Sequence, residues 1–109
     1  MPISSKRTNS DQKENALKPI VLRMGIQPAM NKVDEILSKY GFDKYKATFD
    51  YHEIYGSKGQ FEYTISFFED FNKTHISILI YSEKRVFSLK KNLKEFALYL
   101  REKLKDYME

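Results

Sequence analysis

Lysines and arginines are the residues of this chain whose spacing could do chemistry. Lys90, Lys91 and Lys94 lie close together, and Arg101 and Lys105 follow at helical intervals. At 100° per residue, Lys90, Lys94, Arg101 and Lys105 fall within a stripe about 60° wide, while Glu95, Glu102 and Asp106 lie on a neighbouring face. Lys90, Lys91 and Lys94 occupy the first two turns of the expected helix, where the macrodipole is positive and each cation costs about 0.3 to 1 kcal/mol. Lysines kept there, beside free backbone N–H groups, form a phosphate site in chemical terms. Lys58 is a further cation in a Gly-Ser-Lys-Gly stretch, and Lys6, Arg7 and Lys13 could add weak electrostatic contacts.

Catalytic chemistry finds less support. The 109 residues hold no cysteine, which excludes disulfides, thiolate metal sites and cysteine nucleophiles. His52 and His75 fall on strands that are not neighbours, about 10 Å apart by strand spacing alone, too far to share a metal. Asp50 with Ser66 and Ser77 resembles a catalytic cluster in residue type, yet no base is placed to activate either hydroxyl, and there is no Gly-rich phosphate loop. The reading is a non-enzymatic binding domain with no cofactor and no metal.

The elements that must position these residues follow from apolar periodicity. Ala29, Met30, Val33, Ile36, Leu37 and Tyr40 keep helical spacing after Pro28, and Gly41 is a natural stop. Strict alternation then runs through Tyr45 to Tyr51, Phe61 to Phe67 and Ile76 to Ile80, predicting three half-buried strands. The linkers Gly56 to Gly59 and Asp70 to Lys73 read as turns. Matching the aromatic faces sets Tyr51 opposite Ile65, and Ile65 opposite Ile78. From Leu89 to Tyr107 the apolar residues fall within an arc of about 100°, with Ser88 as N-cap. The predicted fold class is α+β: a three-stranded antiparallel meander with two helices on one face, in the order α-β-β-β-α. Lys18 to Arg23 could add a short leading strand.

That order, with Lys90-Lys91-Asn92-Leu93-Lys94 opening the second helix, resembles the double-stranded-RNA-binding domain. The resemblance implies that Lys90, Lys91 and Lys94 clamp phosphates, and that the loop from Gly56 to Gly59, with Lys58, enters a minor groove. The order is also similar to the small Alu-RNA-binding subunits of the signal recognition particle. With a leading strand it resembles the kinase-associated domain, which implies contact with acidic lipids.

The other face of the expected sheet carries Thr48, Thr64, Ser66, Ser77 and a set of apolar residues that this short chain cannot cover: Ile54, Phe68, Leu79 and Tyr81. Such a patch suits a protein partner or a homodimer. Residues 1–17 are expected to be a disordered polar tail and residues 18–109 a single α+β domain. No run of about 18 apolar residues occurs, so no transmembrane segment is expected, and with no secretory leader an intracellular site, cytoplasmic or nuclear, is expected. Lys and Arg number 19 against 15 Asp and Glu, a formal charge of +4. Residues 1–83 are balanced at eleven each and residues 84–109 hold eight against four, so the excess sits at one end. The expected partner is structured RNA or another nucleic acid, held by Lys90, Lys91, Lys94, Arg101, Lys105 and Lys58. The alternative is a protein-interaction domain using the open face.

Overall fold

Backbone pairing along one ten-residue strand organises the molecule. The computed structural model describes residues 4–84 and 87–109. The elements in order are β1 (Ser4–Arg7), β2 (Ile20–Leu22), α1 (Ile26–Leu37), β3 (Lys44–Thr48), β4 (Glu53–Lys58), β5 (Phe61–Asp70), β6 (Lys73–Ser82) and α2 (Leu89–Leu104). Strands β3 to β6 are joined as consecutive antiparallel hairpins, and β1 and β2 pair with successive stretches of the far edge of β6, β2 with Thr74 to Ile76 and β1 with Leu79 to Ser82. The fold class is therefore α+β with a six-stranded antiparallel sheet. The three-stranded meander in α-β-β-β-α order is not observed, while the short strand that Lys18 to Arg23 could add is present as β2.

Two features of the sequence account for the correction. The alternating run from Tyr45 to Tyr51 is not one strand: Phe49–Tyr51 makes a 3-10 turn and His52 takes a left-handed conformation, φ 55°. The chain reverses there, and β4 follows where a linker was expected. Ile54, not Tyr51, stands opposite Ile65, while Ile65 does stand opposite Ile78. Within β4, Gly56 is no turn residue. A Cβ there would lie 2.8 Å from the Phe42 ring, so this glycine lets an aromatic lie flat on the strand.

The second feature is the N-terminal stretch. Ser4–Arg7, expected to be unstructured, pairs with β6 from Ser82 to Leu79. Thr8 continues the pairing: its N–H donates to the Ile78 carbonyl and its Oγ1 accepts from the Ile78 N–H, both at 2.9 Å. A 3-10 turn at Asn15–Leu17 then drives Leu17 into the core. β1 is anchored by backbone hydrogen bonds more than by apolar side chains, so no hydrophobic alternation marks it.

One face of the sheet is covered. Ile54, Tyr63, Ile65, Phe67, Ile76, Ile78 and Ile80 meet Ala29, Met30, Val33 and Leu37 of α1 and Leu93, Phe96, Ala97, Leu100 and Leu104 of α2 in a single cluster. Tyr63 is packed on Phe96, ring centroids 4.5 Å apart, and burial pushes its hydroxyl up to about 12. α1 begins two residues before Pro28, which sits in the first turn where its missing N–H costs nothing. α2 ends at Leu104 and tightens into a 3-10 turn through Tyr107. Ser88 lies at the N-cap, but its hydroxyl makes no capping bond; its carbonyl accepts from Asn92.

Candidate functional site

The basic edge of α2 separates into parts with different roles. Lys94 and Lys90 reach the carboxylate of Glu14, at 2.8 and 3.7 Å, from the turn that carries Leu17. The hydrogen bond and charge of Lys94, then the charge of Lys90, hold the Glu14 carboxyl below the usual carboxylate range. Lys91 is exposed between them. Arg101 turns inward and donates from Nη2 to the Lys18 carbonyl at 2.9 Å and toward the Pro19 carbonyl at 3.4 Å, and burial lowers its pKa. It fastens the start of β2 to α2. Lys105 pairs with Glu102 at 3.0 Å on its own helix. Lys58 closes β4 and lies over the Tyr40 ring, 4.6 Å from its centroid. Of the six sequence-predicted cations, Lys90, Lys91 and Lys94 thus stand together at the start of α2. The others are spread over the molecule with partners from this same chain.

The uncovered sheet face is built from cross-strand rows. One row reads Lys46, Tyr55, Thr64, Leu79 and Arg7 across β3, β4, β5, β6 and β1. The next reads Lys44, Ser57, Glu62, Tyr81 and Ser5. Tyr55 donates to Glu62 Oε1, and Tyr81 lies 3.5 Å from the same atom. The Glu62 bond raises the Tyr55 hydroxyl, and burial followed by Glu62 raises that of Tyr81. Leu79 and Tyr81 are half-buried on this face and Phe68 is exposed. Ile54 is not there: it is fully buried in the core beneath the helices. The reversal at His52 changed which residues of the following strand face inward.

Tyr51, which the alternation placed inside, is 78% exposed, and Phe71, assigned to no surface, is 92% exposed; Phe68, expected on the open face, is 66% exposed. The β5–β6 turn pairs Asp70 with Lys73 around Phe71 and Asn72, both left-handed with φ 50° and 65°. This is the backbone that Asn-Gly favours in a tight hairpin, and a phenylalanine there costs about 1 to 2 kcal/mol. The Phe67 N–H donates to the His52 carbonyl, which holds the Tyr51 turn beside Phe68. Phe68 in turn faces His75, ring centroids 6.4 Å apart. Phe87, just before α2, is 99% exposed. The signal for Phe71 was its place in a two-residue turn normally filled by Asn or Gly.

Among the described residues, no group of three or more His, Asp or Glu lies close enough to hold a metal ion. Among them, too, no helix is long and apolar enough to cross a membrane. Fold and surface together define a small α+β domain with two helices on one sheet face and the other face open. No family model, curated protein or solved structure matches the chain.

Proposed function

We propose that the chain is a protein-interaction domain whose contact surface is the end of the open sheet marked by Tyr51, Phe68 and Phe71. The observation that carries this reading is Phe71, a large aromatic side chain exposed in a left-handed turn position that smaller residues fill at lower cost. Backbone outliers of this kind concentrate where function over-rides local preference. Exposed aromatics are also the residues that anchor protein interfaces. Leu79 and Tyr81 extend the surface toward β1. The test is retention of a stoichiometric partner from native lysate after nuclease treatment, comparing wild type with Phe68→Glu. Loss in the variant, with the fold intact by circular dichroism, is expected. Equal retention by both proteins refutes the surface.

A second reading is supported by a different observation. Phe87 stands fully exposed at the entrance to α2, next to Lys90, Lys91 and Lys94, which is the pairing of a stacking ring with cations that suits RNA or another nucleic acid. That contact predicts affinity falling steeply with salt and a shallower slope for Lys90→Ala/Lys94→Ala. Equal salt slopes for the two proteins refute it.

A further inference from the structure

We infer that the open sheet carries an oxyanion-binding groove centred on Arg7, fitted to the phosphate or carboxylate group of a small organic ligand. The groove is a cavity of about 780 Å³ lined by Ser5, Lys6, Arg7, Asn9, Gln12, Thr64, Leu79 and Tyr81. Its size is that of a small-molecule site. Its chemistry is one-sided: the charged lining residues are both cations, and no carboxylate lines it, although the chain as a whole has nearly as many acids as bases. Hydroxyls and amides make up most of the rest. Asn9 Oδ1 already accepts from the Asp11 N–H at 2.9 Å, which leaves the Asn9 amide as a donor.

Arg7 differs from the other described arginines. Arg23 donates to the Asp106 carbonyl at 3.2 Å and Arg101 to the Lys18 carbonyl at 2.9 Å, whereas the Arg7 guanidinium has no acceptor among the described residues. A planar guanidinium with its donors unspent is matched in geometry by a carboxylate or a phosphate. β1 is held on β6 by backbone pairs from Ser4 to Arg7, so the Arg7 side chain is not needed to anchor the strand. The groove continues into a smaller cavity of about 280 Å³ that shares Arg7, Thr64 and Leu79 and adds Glu53, Ser66 and Ser77. Glu53 lies on β4, three strands from Arg7, or about 14 Å by strand spacing. A ligand therefore places its anion at Arg7 and runs its hydrogen-bonding body along the Thr64, Ser66 and Ser77 floor.

The test is an NMR titration of the full chain with inorganic phosphate and, separately, with citrate, each matched in ionic strength by sodium chloride. Saturable shifts at Arg7 Nε and at the Thr64 and Leu79 amides are expected with at least one of the two anions but not with chloride. The preferred anion distinguishes a phosphate from a carboxylate ligand. Arg7→Ala weakens the response roughly 10- to 100-fold, and Arg7→Lys recovers part of it. Shifts confined to Lys90, Lys91 and Lys94, shifts reproduced by chloride, or an undiminished response in a folded Arg7→Ala variant each overturn the assignment.

Discussion

Phe71 sets stability against function at a single residue. Replacing it with Asn gives the left-handed position a residue that tolerates it, so Phe71→Asn should stabilise the fold by about 1 kcal/mol. The same change should abolish partner retention. Urea denaturation and the nuclease-treated pull-down read the two effects, and a destabilised Phe71→Asn would show that the turn depends on the ring. Gly56 gives the opposite case. A methyl there meets the Phe42 ring at 2.8 Å, and Phe42 is packed among Tyr40, Tyr45, Tyr63 and Phe96, so the ring has little room to yield. Gly56→Ala should cost about 1 to 3 kcal/mol in the same denaturation experiment. Arg101 belongs with these structural residues, since its guanidinium fastens Lys18 and Pro19 to α2.

The elements that the sequence announced are those whose side chains alone decide their burial. β5 and β6 alternate over most of their length with one face in the core, and their pairing of Ile65 with Ile78 is readable from that pattern. β1 and β4 escape it for different reasons. β1 is Ser-Ser-Lys-Arg and is held through its backbone, while β4 inserts only Ile54 and a glycine into the covered face. The open-face positions of Phe68, Leu79 and Tyr81 shared the legibility of their strands, and that of Ile54 did not because a left-handed residue intervenes. Backbone anchoring makes Thr8 the pivot of the first strand. Thr8→Val leaves the Ile78 N–H without its side-chain acceptor and should cost about 1 to 3 kcal/mol, with faster hydrogen exchange at Ile78. Protection of the Ile78 amide equal to wild type would refute this role.

The Glu14 contact ties the segment between β1 and β2 to α2. Because the Glu14 carboxyl is held below its usual range, the contact's contribution is full above the ordinary carboxylate pKa and fades as pH falls through the lowered one. Both partners are exposed, so the contribution to stability is small. Its larger consequence concerns the lysines. Glu14→Gln should strengthen retention on nucleic acid at low salt if the second functional reading holds, and should remove its pH dependence in the acid range.

At the scale of the molecule, the sheet ends at β3, whose outer edge displays exposed Lys44 and Lys46. Like charges on an edge strand oppose pairing with a second copy. The double variant Lys44→Val/Lys46→Val should therefore raise the weight-average mass in sedimentation equilibrium, and an unchanged mass would show that these lysines do not block edge pairing. The opposite side of the sheet is closed by short pieces: β1 and β2 share β6, and beyond β2 the chain returns so that Glu109 donates to the Val21 carbonyl and Tyr107 accepts from Arg23.

That shared strand has a consequence for synthesis. Ser4 pairs with Ser82, so the first strand leaves the ribosome long before the strand it pairs with exists. Until β6 emerges, β1 and β2 have no strand to pair with, and the Leu17 turn waits longer still, for α2. The sheet therefore cannot be complete until β6 is made, because β6 receives β5 on one side and both early strands on the other.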